Sequence, residues 1–268
     1  MEWQAYIDKF IASGSANLIR YFLFAGVPYI VFYVLFQSKT FRMKIQQKVP
    51  KLKDIKREVL YSVSSVAVFS IISMLFFAIV KSGNSKIYGD VSEYGQIYFW
   101  LSIPLIIILH DAYFYWTHRA MHWKPIFKHV HLVHHKSTDP TPWAAFAFHP
   151  LEAIVQGSFF PLIAVLIPAH PIAILTWVLY QFALNVLGHL GYEILPKGWT
   201  TSKLTFWHNT GTHHNMHHKY FSCNYSLYFN VWDRLMGTNH EKYDETFEEV
   251  CARRAGSSES EAVNSQAA

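Results

Sequence analysis

Three short stretches concentrate imidazoles: HRAMH (118–122), HLVHH (131–135) and HNMHH (214–218). On a helix, residues three and four apart share a face. His118 with His122, His131 with His134 and His135, and His214 with His217 and His218 can therefore each grip a metal ion from one side. Neutral imidazole is a good ligand for zinc, copper and iron, and these eight exceed what one four-coordinate zinc takes. Two metals are implied. A single such pair carries little weight, because histidines at this spacing are common on surfaces; the three clusters together carry the reading. With only Cys223 and Cys251 in the chain, no four-thiolate site is available, and the ligands must be His with Asp or Glu. A dinuclear iron centre can activate dioxygen and take hydrogen from an unactivated C–H bond, which no ordinary side chain does.

Other histidines are weaker candidates. His189 ends an apolar run in NVLGHLGYE, where capping and ligation are equally open. His213 points away from His214 on a helix but could reach a metal from the preceding turn. His110, beside Asp111, reads either as half of a polar interfacial pair or as a support for the site. His129 and His208 read as surface or supporting groups, and His170 and His240 as non-catalytic, with His170 on the far side of the membrane. Glu152, Glu193 and Asp233 could orient imidazoles by accepting the distal ring N–H. An interfacial charge or helix cap stands equally open for each.

Positioning these clusters falls to a largely apolar chain. Hydrophobic residues make up 51% of its 268 positions, aromatic ones 17% and charged ones 15%, a balance that favours a membrane protein. Aromatic excess suits membrane interfaces and lipid pockets. The 22 uncharged residues 59–80 would cover about 33 Å as a helix, enough to cross a hydrocarbon core. Residues 21–37 form a second candidate span, kinked at Pro28, and 97–117 a third that delivers His118. The runs 151–168 and 171–190 read as a helical hairpin.

The segment 38–57 carries eight Lys or Arg against one Asp, which places it in the cytoplasm. Counting crossings puts the N-terminus outside and brings 38–58, 118–150 and 191 onward to the same side. The net charge of +5 is thus a topology signal rather than a nucleic-acid footprint. The N-terminus lacks a basic n-region and a cleavage site, so no cleaved signal peptide is expected. The expected fold is an all-α integral membrane protein with about four to five transmembrane or hairpin helices and a cytoplasmic histidine-rich cap. One membrane-embedded catalytic domain is expected over 1–254, followed by a disordered tail, 255–268.

Taken together, HRAMH, HLVHH and HNMHH resemble the three histidine boxes of the fatty acid hydroxylase/sterol desaturase superfamily. The resemblance runs from about Leu109 to Thr238 and includes DAYFYWTHRAMH, FHPLE, GHLGYE and HHNMHHKYFSCNYSLYFNVWDRLMGT. The last of these is similar to the ending of sterol C-5 desaturases. The resemblance implies a non-haem di-iron membrane oxygenase that desaturates or hydroxylates a sterol or acyl lipid, with O2 as co-substrate. It implies as metal ligands His118, His122, His131, His134, His135, His189, His214, His217 and His218, with His213 as a further candidate. No fused haem domain motif is present, so electrons are expected from a separate b-type cytochrome or a ferredoxin with its reductase. The family's ending often reads NYG; here Asn224 and Tyr225 are followed by Ser226, which could alter the local backbone. A histidine-rich membrane metal transporter and a zinc-dependent lipid hydrolase are the alternatives. The first would want ionisable residues within the spans, and the second lacks an H-E-x-x-H arrangement.

Overall fold

The computed structural model describes residues 2–266, with side chains from Trp3 to Gly256. The regular structure is helical, and no β-strand occurs among the described residues, only three isolated bridges. Helix α1 (Glu2–Tyr29) continues as a π-helix over Ile30–Leu35. It is followed by a single turn, α2 (Gln37–Thr40), and by α3 (Leu52–Lys81) and α4 (Gly95–Met121). Short helices α5 (Lys124–Val130) and α6 (Leu132–His135) lead to α7 (Pro150–Gly157) and α8 (Phe159–Leu166). The chain ends with α9 (Pro171–Gly188), α10 (Gly211–Tyr220), α11 (Val231–Leu235) and α12 (Tyr243–Gln266).

Among the described residues, four helices are long and apolar enough to cross a membrane: Trp3–Leu35, Leu52–Lys81, Gly95–Met121 and Pro171–Gly188. The first starts well before the expected Tyr21, because its charges at Asp8, Lys9 and Arg20 mask an otherwise helical run. Pro28 removes a backbone donor, and the chain answers with the π-turns that begin two residues later.

The expected 151–168 span is instead two eight-residue helices, α7 and α8, that meet at Ser158. Gly157 lets this junction approach α3 closely: a Cβ there would lie 2.5 Å from Ile72 Cδ1. The backbone of the tail expected to be disordered continues α12 as far as Gln266, while its side chains beyond Gly256 and residues 267–268 lie outside the described residues.

Antiparallel pairing of α1 and α3 sets Lys9 over the Phe77 ring and Tyr21 beside the carbonyl that also takes the Ser62 hydroxyl, that of Trp143. At one end of the bundle, an apolar cluster of Phe76, Phe99, Ile106, Phe159, Ile163 and Trp177 closes over the turn at Ala169. There Ile87 bridges to Ala169, and His170 caps α9 while its Nε2 donates to Gly89 O. At the other end, Tyr33, Leu190 and Tyr192 form a small core beneath the short helices that bear the remaining histidines.

Candidate metal centre

Each histidine cluster is presented by a different local device. His118 lies in the last turn of α4 and His122 is its C-cap residue. His131 caps the single turn of α6, which carries His134 and His135. His189 is the C-cap of α9, and α10, started by Thr210 Oγ1 accepting from His213 N, carries His214, His217 and His218. Gly191, two residues after His189, sits at φ +74, where a Cβ would be 2.5 Å from Tyr33 Oη and 3.0 Å from Pro140 O. Only glycine lets the chain turn there.

These devices gather nine imidazoles into two abutting groups. His118, His122, His131, His135 and His217 form one, and His134, His189, His214 and His218 the other, each with one ligand atom per residue within 4.8 Å of the rest. In the first, His118 Nε2 is 3.0 Å from His131 Nε2, and His135 Nε2 is 3.1 Å from both His122 Nε2 and His131 Nε2. In the second, His189 Nε2 is 3.1 Å from His214 Nε2, 3.2 Å from His218 Nε2 and 3.3 Å from His134 Nε2. Ligand nitrogens about 2.1 Å from one ion stand about 3.0 Å apart at right angles and about 3.4 Å apart in a tetrahedron.

The tautomers decide whether these short contacts are hydrogen bonds. His118 Nδ1 donates to Tyr225 O, His217 Nδ1 to Cys223 O, His218 Nδ1 to Ser137 O and His189 Nδ1 to Asn185 O, at 2.7 to 2.9 Å. A carbonyl only accepts, so each of these rings carries its proton on Nδ1 and turns a lone pair inward at Nε2. His189 and His218 thus face each other with two lone pairs at 3.2 Å, and buried His217 Nε2 has no hydrogen-bond partner among the described residues. Lone pairs so arranged repel unless a cation lies between them. Burial holds the imidazoles neutral: it pushes His189 down to about 4 and His131, His134, His135, His214, His217 and His218 well below 6.5. Neutral, inward-facing nitrogens are the form that binds metal, and the donor set fits two ions.

His213 stays outside both groups. Its Nε2 is 3.5 Å from Asp233 Oδ2 and its ring packs on Tyr243 at 5.0 Å, because successive helical residues are about 100° apart. Of the three carboxylates, Glu152 alone reaches an imidazole of the groups, with Oε1 2.7 Å from His131 Nδ1 and both residues buried. Glu193 accepts from Thr212 N and Oγ1 and from Leu195 N, so it anchors the start of α10 instead. Asp233 accepts from the backbone N–H of Tyr225 and Ser226, fixing the loop whose Tyr225 carbonyl holds His118. Ser226 keeps an ordinary φ; the left-handed residues other than glycine are Phe221 and Asn224 among the described residues.

His110 and Asp111 are buried, not interfacial: His110 Nδ1 lies 2.8 Å from Tyr228 Oη, and Asp111 accepts from Tyr228 N and Phe229 N. His208 Nδ1 donates to Asn209 O, and His240 stacks on Tyr220.

Sequence reasoning missed Lys44, read only as a topology charge. It is 1% exposed and paired with Asp139 at 3.0 Å, while Gln46 donates to Thr138 O and Asn215 Oδ1. The basic loop is thereby pinned to the segment that orients His218.

Residues 103–238, half of the chain, match the fatty acid hydroxylase family. The chain belongs to that family. Among curated relatives, a Delta(7)-sterol 5(6)-desaturase of Leptosphaeria maculans is 32% identical over 85% of this chain and 60% of its own length. A Delta(7)-sterol 5(6)-desaturase of Gibberella zeae is 30% identical over 87% of this chain and 70% of its own length. The lathosterol oxidase of Mus musculus is 30% identical over 69% of this chain and 61% of its own length. The match therefore spans about 60% of two of these relatives. No solved structure matches the chain. All nine histidines of the two groups fall within the matched region.

Proposed function

We propose that this chain is an O2-dependent di-iron enzyme that desaturates or hydroxylates a membrane lipid, a sterol or an acyl lipid, at an unactivated C–H bond. The observation that carries the reading is the pair of buried imidazole groups with their lone pairs turned inward. His118, His122, His131, His135 and His217 would hold one iron, and His134, His189, His214 and His218 the other. When bound, such a pair supplies oxidising power drawn from dioxygen and external electrons.

The protein's own contribution is placement and dryness. A 490 Å³ cavity between α1, α3, α4, α7 and α9 is of the size that takes a small lipid. Its inner end is walled by Phe114, 5.0 Å from the His118 ring, and Phe148, 5.1 Å from the His134 ring. Aromatic walls exclude water from the carbon to be oxidised and leave its position to packing. Whether a second hydrogen or a hydroxyl group is transferred then depends on sub-ångström placement of that carbon.

Because 38–57 is rich in Lys and Arg and is pinned beside the histidines, the site belongs on the cytoplasmic face. A separate b-type cytochrome or ferredoxin with its reductase would deliver the electrons. Mass spectrometry of lipids from cells with and without the protein tests the whole reading. A lipid lighter by two hydrogens or heavier by one oxygen, formed only in air, is expected. Lipid hydrolysis persisting without oxygen, or metal flux in proteoliposomes without oxygen consumption, would point to another class of protein.

Glu152 offers a finer check. Glu152→Gln should lower metal affinity about tenfold and Glu152→Ala about a hundredfold, since each removes the carboxylate that stands 2.7 Å from His131 Nδ1. Metal titration of the purified variants reads this directly, and unchanged affinity in both would remove Glu152 from the site.

A further inference from the structure

The same cavity carries polar groups that the metal centre does not use. Arg20 lies within the span Trp3–Leu35 and lines the cavity, its guanidinium 6.0 Å from the Phe182 ring centroid. Among the described residues it donates once, to Asn17 Oδ1 at 3.0 Å, leaving further N–H groups for another acceptor. A cation within an apolar span is costly and marks a binding or transport role. Around it on the cavity wall stand His110, Gln156 and Gln181. Neither glutamine side chain has a partner among the described residues, and His110 is 4% exposed with only its Nδ1 engaged. Among the described residues no Asp or Glu lines the cavity, whereas Lys9 stands at its outer end.

The belt has a measurable height above the metal centre. Gln181 precedes His189 on α9, and His110 precedes His118 on α4, by the same eight residues, about 12 Å of helical rise. Between the two levels the wall turns aromatic, with Phe114, Phe146 and Phe148.

We infer that Arg20, with Asn17, Gln156, Gln181 and His110, binds the anionic head group of an amphiphile, a carboxylate or phosphate, and so fixes which carbon is oxidised. An extended chain of about 1.5 Å bonds at tetrahedral angles advances about 1.25 Å per bond, so the carbon at the centre lies about ten bonds from the head group. A carbon three bonds away stays about 8 Å short. The inference rests on the proposed oxidation for its reference point, but head-group binding stands apart from it.

Two measurements separate the two ideas. The full chain, metal-free and in detergent, is titrated with hexadecanoate, hexadecyl phosphate and hexadecanol. One of the two anions should bind at least about tenfold tighter than the alcohol, identifying the head group. Arg20→Ala should remove that preference, Arg20→Lys restore part of it, and Gln181→Leu weaken the anion several-fold. Equal binding of all three ligands, or an unchanged preference in Arg20→Ala, overturns the inference even if lipids are oxidised. In cells, the new double bond or hydroxyl should map about ten bonds from the polar group; oxidation within three bonds of it overturns the inference while leaving the enzyme class intact. If no lipid is oxidised, the enzyme class fails, and the titration still decides the head group.

Discussion

Replacing His217 by alanine should reduce the bound metal from two ions toward one and lower lipid oxidation by more than about a hundredfold. The bound follows from partners behind a ligand, whose loss costs about 10- to 100-fold; a ligand lost outright costs more. His217 Nδ1 is tied to Cys223 O, so its lone pair has one use, inside the five-histidine group. His134→Ala should give the same loss of activity by emptying the other group, which keeps only three imidazoles. His213→Ala is the informative control. It faces Asp233 and Tyr243, outside both groups, so it should retain both ions and show its effect in thermal stability. Elemental analysis of the three purified variants, alongside product yield, makes the comparison. Full activity in His217→Ala or His134→Ala would break the ligand assignment, and loss of an ion in His213→Ala would return that residue to the site.

The contrast between His213 and His217 also shows where sequence reading reaches its limit. Spacing of three and four is a statement about one helix, and it brought His214, His217 and His218 together because α10 is a regular helix. The same rule could not decide His189 or His213, since each depends on what stands opposite. His189 is held by the end of α9 packing on α10, where a Cβ added at Gly188 would lie 3.4 Å from His214 Cβ. Glu152 and Glu193 look alike in sequence, yet one meets an imidazole and the other a helix N-terminus. The acceptors behind His118, His217 and His218 are backbone carbonyls of Tyr225, Cys223 and Ser137, and every residue has one, so no residue type signals them. Lys44 was hidden for the opposite reason, as one cation among eight in its segment. Long apolar runs were the most legible feature, because crossing a membrane constrains composition along a whole helix. The break between α7 and α8 falls instead beside Gly157, where an added Cβ would meet Ile72 of α3.

The buried imidazoles should make the metal-free protein sharply acid-labile. Desolvation holds His122, His131, His134, His135, His214, His217 and His218 well below 6.5 and brings His189 and His213 down to about 4. A folded-state value below the unfolded one means that the unfolded chain binds more protons once pH falls under about 6.5. Stability from these groups is intact above that pH. It is lost below it, down to about 4 for His189 and His213 and further for the rest.

Each such group can cost up to about 1.4 kcal/mol per pH unit. Three of them titrating across one unit would remove about 4 kcal/mol, a large part of a typical net stability of about 5–15 kcal/mol. Bound metal competes with those protons for the same lone pairs and stabilises only the folded state. The loaded protein should therefore hold its melting temperature to a lower pH than the chelated one. Melting curves from pH 8 to pH 5, with and without metal, measure the separation. A metal-free protein whose melting temperature stays flat across that range would mean that these imidazoles are not held neutral by burial, and the case for a preformed, inward-facing donor set would go with it.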